Sequence, residues 1–85
     1  MKQFSYVIKD KIGIHARPAG MLAKKAKEFE SAITIECGGK AASATGLMTV
    51  MSMGIKCGDT VNVTVSGADE EKAAAEIEEF FKSNL

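Results

Sequence analysis

The apolar and polar positions of this 85-residue chain change period several times. From Lys2 to Ile8 they alternate, with Phe4, Tyr6 and Ile8 on one side and Gln3 and Ser5 on the other. Period two predicts a strand with one buried face. Lys9 to Ile14 contains Gly13 and predicts a loop. From Ala16 the spacing becomes three and four: Ala19, Leu22, Ala23, Ala26 and Phe29 form the stripe of an amphipathic helix. Pro18 falls in its first turn, where a missing N–H costs nothing. That places the start at about residue 16, with His15 at or beside the N-cap. Ala32 to Cys37 alternates again, Gly38-Gly39 is a two-residue hairpin signal, and Lys40 to Ser43 supplies the partner strand. Gly46 to Met53, followed by Gly54, predicts a short helix stopped by glycine. Thr60 to Ser66 turns Val61, Val63 and Val65 inward. Asp69 and Glu70 then suit the positive end of a last helix. Its buried stripe is Ala73, Ala74, Ile77, Phe80 and Phe81, with Glu76, Glu78, Glu79 and Lys82 facing water.

Four short strands, two of them joined by a tight hairpin, and three one-sided helices predict an α+β fold. The economical packing is a four-stranded antiparallel sheet with the helices on one face. The other face, with Gln3, Ser5, Thr34, Glu36, Asn62 and Thr64, suits solvent. The length allows one domain spanning 1–85. At 46% hydrophobic and 26% charged residues, disorder is excluded. Eleven basic and 11 acidic residues cancel, which argues against a nucleic-acid binder or a membrane anchor held by bulk positive charge. No apolar run reaches the roughly 20 residues of a membrane span. The start, Met1 to Ser5, lacks the apolar core of a signal peptide. Cys37 and Cys57 stand alone and read as reduced, half-buried thiols of a cytoplasmic protein. With one His and no zinc-like spacing, no metal and no cofactor are expected.

The informative stretch is Gly13-Ile14-His15-Ala16-Arg17-Pro18-Ala19. It puts the only His of the chain at a helix N-terminus, where free N–H donors and a partial positive charge attract anions, phosphate above all. A neutral imidazole is a competent nucleophile. Arg17, in the first turn, can clamp phosphate oxygens. Together they fit a histidine that accepts and passes on a phosphoryl group. The same residues also suit a surface histidine that closes a helix and does nothing more, and spacing alone does not separate the two. There is no G-x-S-x-G, no acidic partner within the motif and no P-loop. A phosphoryl group would therefore come from another protein's active site, which describes a carrier rather than a stand-alone enzyme. On the outward side of the first helix, Arg17, Gly20 or Met21, Lys24 and Lys27 form a ridge, either a plain solvated face or a docking ridge for acidic partners. Three of the five Met lie in Leu47 to Met53. Such a short helix leaves either Leu47 and Met51 or Met48 and Met51 partly exposed, while Val50 and Met53 turn inward, although Met also serves to fill an irregular core. Exposed Met suits a surface that fits several partners.

The stretch Gly13 to Ala19 resembles the phosphorylation-site motif of HPr, the histidine-containing phosphocarrier of the bacterial phosphoenolpyruvate-dependent sugar phosphotransferase system. Met48-Thr49-Val50-Met51-Ser52-Met53-Gly54 is similar to that family's second-helix segment, and Val63 to Glu70 to its last strand and helix start. The resemblance covers the whole chain. It implies an open-faced β-sandwich. It implies that His15 takes a phosphoryl group on Nδ1 from enzyme I and passes it to the IIA domain of a sugar permease. Arg17 would assist, and the N–H groups of Ala16 and Arg17 would hold the phosphoryl oxygens. The docking surface would comprise Gly20, Met21, Lys24, Lys27, Leu47, Met48 and Met51. The chain departs from many Gram-positive members at one place. Their second helix opens on a regulatory serine preceded by lysine, whereas here Gly46 follows Thr45. Glycine carries no hydroxyl, so regulation by HPr kinase at that position is not expected. Of the nearby hydroxyls Thr45 is the best substitute, one residue out of register. Two other readings compete. A regulatory paralogue would act mainly by binding proteins. A small hydrolase of similar strand and helix order, such as an acylphosphatase, would need a phosphate-binding loop with a catalytic Arg, and the only Arg here opens a helix. No dimer seam is evident, so a monomer is expected.

Overall fold

The computed structural model describes residues 1–85. The strands are β1 (Lys2–Val7), β2 (Ala32–Cys37), β3 (Lys40–Ser43) and β4 (Thr60–Ser66); the helices are α1 (Ala16–Ala26), α2 (Leu47–Ser52) and α3 (Glu70–Asn84). All seven elements lie where the periodicities place them, except that α1 ends at Ala26 and leaves Phe29 in the turn beyond it. The sheet order is β1-β4-β2-β3, and every neighbouring pair is antiparallel. Because β4 sits between β1 and β2, the β1-α1-β2 connection must cross over it. By the same logic β3-α2-β4 crosses over β2. Crossovers of one hand put both helices on the same face, and α3 joins them there. This is the open-faced β-sandwich.

The core follows from period two. Val61, Val63, Val65, Ile33 and Ile35 point under the helices and are buried, and they meet Ala19, Leu22 and Ala26 of α1, Val50 of α2 and Ile77 of α3. Phe81 is fully buried, with the Phe4, Tyr6 and Phe80 rings edge-on to it at 5.6–6.3 Å between centroids. The opposite face stays open. A row of hydrogen bonds runs across it, from Ser5 Oγ to Asn62 Oδ1 (2.6 Å) and from Asn62 Nδ2 to Glu36 Oε1 (3.1 Å). These three residues are register partners on β1, β4 and β2.

The helices are tied by charge in ways the sequence pattern did not show. Glu76 does not simply face water. It is half-buried and accepts a hydrogen bond from Lys25 Nζ at 2.8 Å, linking α3 to α1. That bond holds the Lys25 ammonium up and the Glu76 carboxyl down from their ordinary ranges. Asp69 is the N-cap of α3 but makes no capping bond. Its oxygens instead accept the Glu30 and Ser31 N–H groups, both at 2.9 Å, and the Ser31 hydroxyl. The reason is proximity: Gly67 brings the chain so close to Ser31 that a Cβ there would lie 2.5 Å from the Ser31 Cα. One of the two cysteines differs from expectation. Cys37 is half-buried, and burial pushes its thiol up, but Cys57 is exposed on the Lys56–Asp59 turn.

The loop ahead of α1 is clamped from two sides. Ile8 N–H donates to Asp59 O (2.9 Å), Gly58 N–H to Ile8 O (2.8 Å) and Ile14 N–H to Ile55 O (3.1 Å). From the far end of the chain, Leu85 O accepts the Lys9 and Asp10 N–H groups at 2.6 and 2.7 Å. Ile8 and Ile14 anchor the loop in the core. Gly13 lets it turn, with φ +84°, and a Cβ there would sit 2.4 Å from Ile55 O.

Two predictions follow from these ties. Gly13→Ala meets both a disfavoured φ and a backbone collision, so it should lower stability by about 1–3 kcal/mol and speed exchange of the Ile14 amide. Urea unfolding with amide exchange checks this, and unchanged stability contradicts it. Asp69 is held below its ordinary value of 3.8, first by the Ser31 hydroxyl and then by the Glu30 N–H. A depressed carboxyl stabilises the fold above its unfolded pKa, and that stability is lost as pH falls through the folded value. Asp69→Asn should therefore be less stable than the parent at neutral pH, with the gap closing below about pH 4. Urea midpoints across the acid range would show it; a gap that persists at about pH 2 would contradict it.

Candidate functional site

The site is built on the first turn of α1. His15 is the N-cap in extended conformation (φ −129°, ψ −176°), and its carbonyl accepts the Ala19 N–H at 2.9 Å. Its side chain makes no capping bond, so the half-buried imidazole is uncommitted. The N–H groups of His15, Ala16 and Arg17 have no acceptor within the chain, and Pro18 has no N–H to offer. The unpaired donors are thus concentrated beside the imidazole, at the positive end of an 11-residue helix. Arg17 is exposed and forms no ion pair.

A depression of about 240 Å³ lies here, lined by Asp10, His15, Arg17, Pro18, Met21 and Asn84. Nothing in the sequence singles out Asp10 or Asn84. Asp10 belongs to a loop without periodicity, and Asn84 arrives from the end of α3 through the Leu85 clamp. A larger hollow of about 580 Å³ lies on the uncovered sheet face, where Ser5, Asn62 and Glu36 already satisfy one another. It brings no nucleophile beside unpaired donors, whereas the smaller one holds His15 next to the free Ala16 and Arg17 N–H groups. No group of three or more His, Cys, Asp or Glu side chains is arranged to hold a metal ion.

The exposed faces of α1 and α2 are apolar and cationic. Met21, Leu47, Met48 and Met51 are exposed, Met48 to 75%. Val50 is buried and Met53 half-buried, as the short-helix reading requires. Gly20 leaves the flank of α1 open, because nothing lies within 4 Å of where its Cβ would be. Lys24 and Lys27 are exposed and free of ion pairs, whereas Lys25 is tied to Glu28 and Glu76 and lies over the Phe29 ring. Lys27 stands just past α1, as its C-cap. α1, which carries the ridge, packs against α2, which carries the Met patch. Gly46 caps α2 at φ −92°, and a Cβ there would meet only ordinary contacts, with Ser43 O at 3.4 Å and Thr49 Oγ1 at 3.6 Å. The fold does not demand glycine there. Thr45 lies outside the helix, its hydroxyl bonded to that of Ser43 at 2.8 Å.

Comparison with known proteins agrees with this geometry. The family model described as the PTS HPr component phosphorylation site matches residues 2–83. The phosphocarrier protein HPr of Mycoplasma genitalium is 40% identical over 85 residues, which is 99% of this chain and 97% of that protein. The solved structure of a histidine-containing phosphocarrier protein from Mycoplasma superposes with a TM-score of 0.93 at 39% identity, covering 96% of this chain and 93% of that one. HPr-C-His from Thermoanaerobacter tengcongensis gives a TM-score of 0.92 at 36% identity, covering 98% and 93%. With an unpaired helix N-terminus beside its one histidine and full-length similarity to phosphocarriers, the chain belongs to the HPr family of the phosphotransferase system.

Proposed function

We propose that the chain carries phosphoryl groups in sugar uptake, taking them on His15 from phosphorylated enzyme I and delivering them to the IIA domain of a sugar permease. The observation that supports this most is the uncommitted imidazole set among the unpaired N–H groups of Ala16 and Arg17. In the transfer, the lone pair of His15 Nδ1 forms a bond to phosphorus. The bond from phosphorus to the donor breaks at the same time, and the donor atom keeps that electron pair. The incoming group brings close to two negative charges. The Ala16 and Arg17 N–H groups and the Arg17 guanidinium supply charge-assisted hydrogen bonds to its oxygens. Delivery runs the same step in reverse on a second partner. No bond to water is made, which fits a site that is a shallow depression filled in by the partner's own surface.

Docking falls to Gly20, Met21, Lys24, Lys27, Leu47, Met48 and Met51. Flexible Met side chains suit a surface that must fit both donor and acceptor. The unpaired lysines suit acidic partners and speed encounter. The chain acts as a cytoplasmic monomer of one domain, and the HPr kinase branch has no hydroxyl at Gly46. A regulatory paralogue would keep the docking surface without needing a free nucleophile; the intact site around His15 favours the carrier.

Two measurements test the reading. With phosphoenolpyruvate, magnesium and enzyme I, intact mass should rise by one phosphoryl group that is acid-labile, base-stable and absent in His15→Ala; no gain in the parent chain overturns the carrier reading. Met48→Glu should raise the KM of enzyme I for this chain about tenfold, equivalent to about 1.4 kcal/mol, with kcat nearly unchanged. An unaltered KM would remove Met48 from the interface.

A further inference from the structure

We propose that Asp10 is an electrostatic residue of the transfer site, whose carboxylate opposes the charge of a phosphoryl group on His15 and so keeps that group transferable. This rests on the carrier reading above. Asp10 is held more firmly than a surface acid usually is. Its N–H donates to Leu85 O at 2.7 Å, its carbonyl accepts the Gly13 N–H at 2.9 Å, and its Oδ1 accepts the Ile12 N–H at 2.9 Å. The half-buried side chain lines the same depression as His15 and Arg17. Neither Asp10 nor Arg17 is ion-paired, so each charge acts on whatever occupies that space. Asn84 adds no charge there, and its Nδ2 is committed to Phe80 O at 3.1 Å.

A carrier must hold its cargo and still let go. The Ala16 and Arg17 N–H groups and the Arg17 guanidinium all attract a phosphoryl group, and attraction alone would sink it into a stable state. A fixed carboxylate in the same hollow raises the energy of the phosphorylated form without touching the nucleophile. Asp10 also shapes the loop, since a side-chain oxygen that accepts a main-chain N–H two residues on closes an Asx turn. Charge and shape separate cleanly, because asparagine offers the same acceptor oxygen without the charge.

The test compares the parent with Asp10→Asn, folding and Ile12 amide exchange being monitored in both. Inorganic phosphate is titrated against the Ala16 and Arg17 amide signals, and the equilibrium of phosphoryl exchange with enzyme I is measured. Asp10→Asn should keep the loop. It should bind phosphate about fivefold more tightly at low salt, an effect that shrinks as salt rises. The exchange equilibrium should move toward the phosphorylated chain by a similar factor. Asp10→Ala, which also loses the acceptor, should in addition expose the Ile12 amide. Equal phosphate affinity and equal exchange equilibrium in a folded Asp10→Asn chain would overturn the proposal. A parent chain that takes no phosphoryl group from enzyme I would overturn the carrier reading instead, and the phosphate titration would still decide on Asp10.

Discussion

The unpaired first turn of α1 is the constraint on which the site depends. Every α-helix leaves its first N–H groups without partners, and most proteins satisfy them with a side chain or with water. Here the N-cap is histidine, which makes no capping bond, and Pro18 removes one donor altogether. What remains are the free N–H groups of His15, Ala16 and Arg17 beside an uncommitted imidazole. Such an arrangement leaves helix stability unrealised and keeps N–H donors free at the positive end of the helix. Holding it in place falls to the rest of the molecule. The Ile8 to Ile14 loop is bonded to the Ile55–Asp59 segment and to Leu85, and α1 is pressed onto the sheet through Ala19, Leu22 and Ala26.

The sheet explains why so small a chain can do this. Interleaved crossovers place β4 in the middle of the strands although it comes last, so the ends of the chain are joined to its centre. Phe81, on the final helix, is surrounded by rings from β1 and its own neighbour. The same helix delivers Leu85 to the loop ahead of His15. Core packing and site geometry are therefore one mechanical unit. The lysines of the ridge, Lys24 and Lys27, stay unpaired, while Lys25, next to Lys24, is bound to Glu76 across the helix interface. Adjacent lysines thus serve different ends, one the fold and the others the surface.

Much of this was legible in the sequence because it is local. Period two in Thr60 to Ser66, the Gly38-Gly39 turn and the Pro18 position each fix an element within a few residues. The candidate nucleophile is legible for the same reason, since His15, Arg17 and Pro18 belong to one turn. What was not legible is long-range. Nothing near Asp10 or Asn84 announces that both would line the depression beside His15, because the Leu85 clamp that gathers them spans the chain. Asp69 and Glu76 have the composition of ordinary solvated helix acids. Only the close pass of Gly67 by Ser31, and the packing of α1 on α3, give their carboxylates partners. The exposure of Cys57 is not legible in the sequence, because a turn exposes what a hydrophobicity scale would bury.

The most direct test of the unpaired first turn is an amide spectrum of the chain before and after phosphorylation at His15. If the helix N-terminus holds the phosphoryl oxygens, the Ala16 and Arg17 amide protons should move strongly downfield while the signals of the sheet stay in place. Phosphohistidine formation with those two amides unmoved would contradict the central role given to the α1 N-terminus.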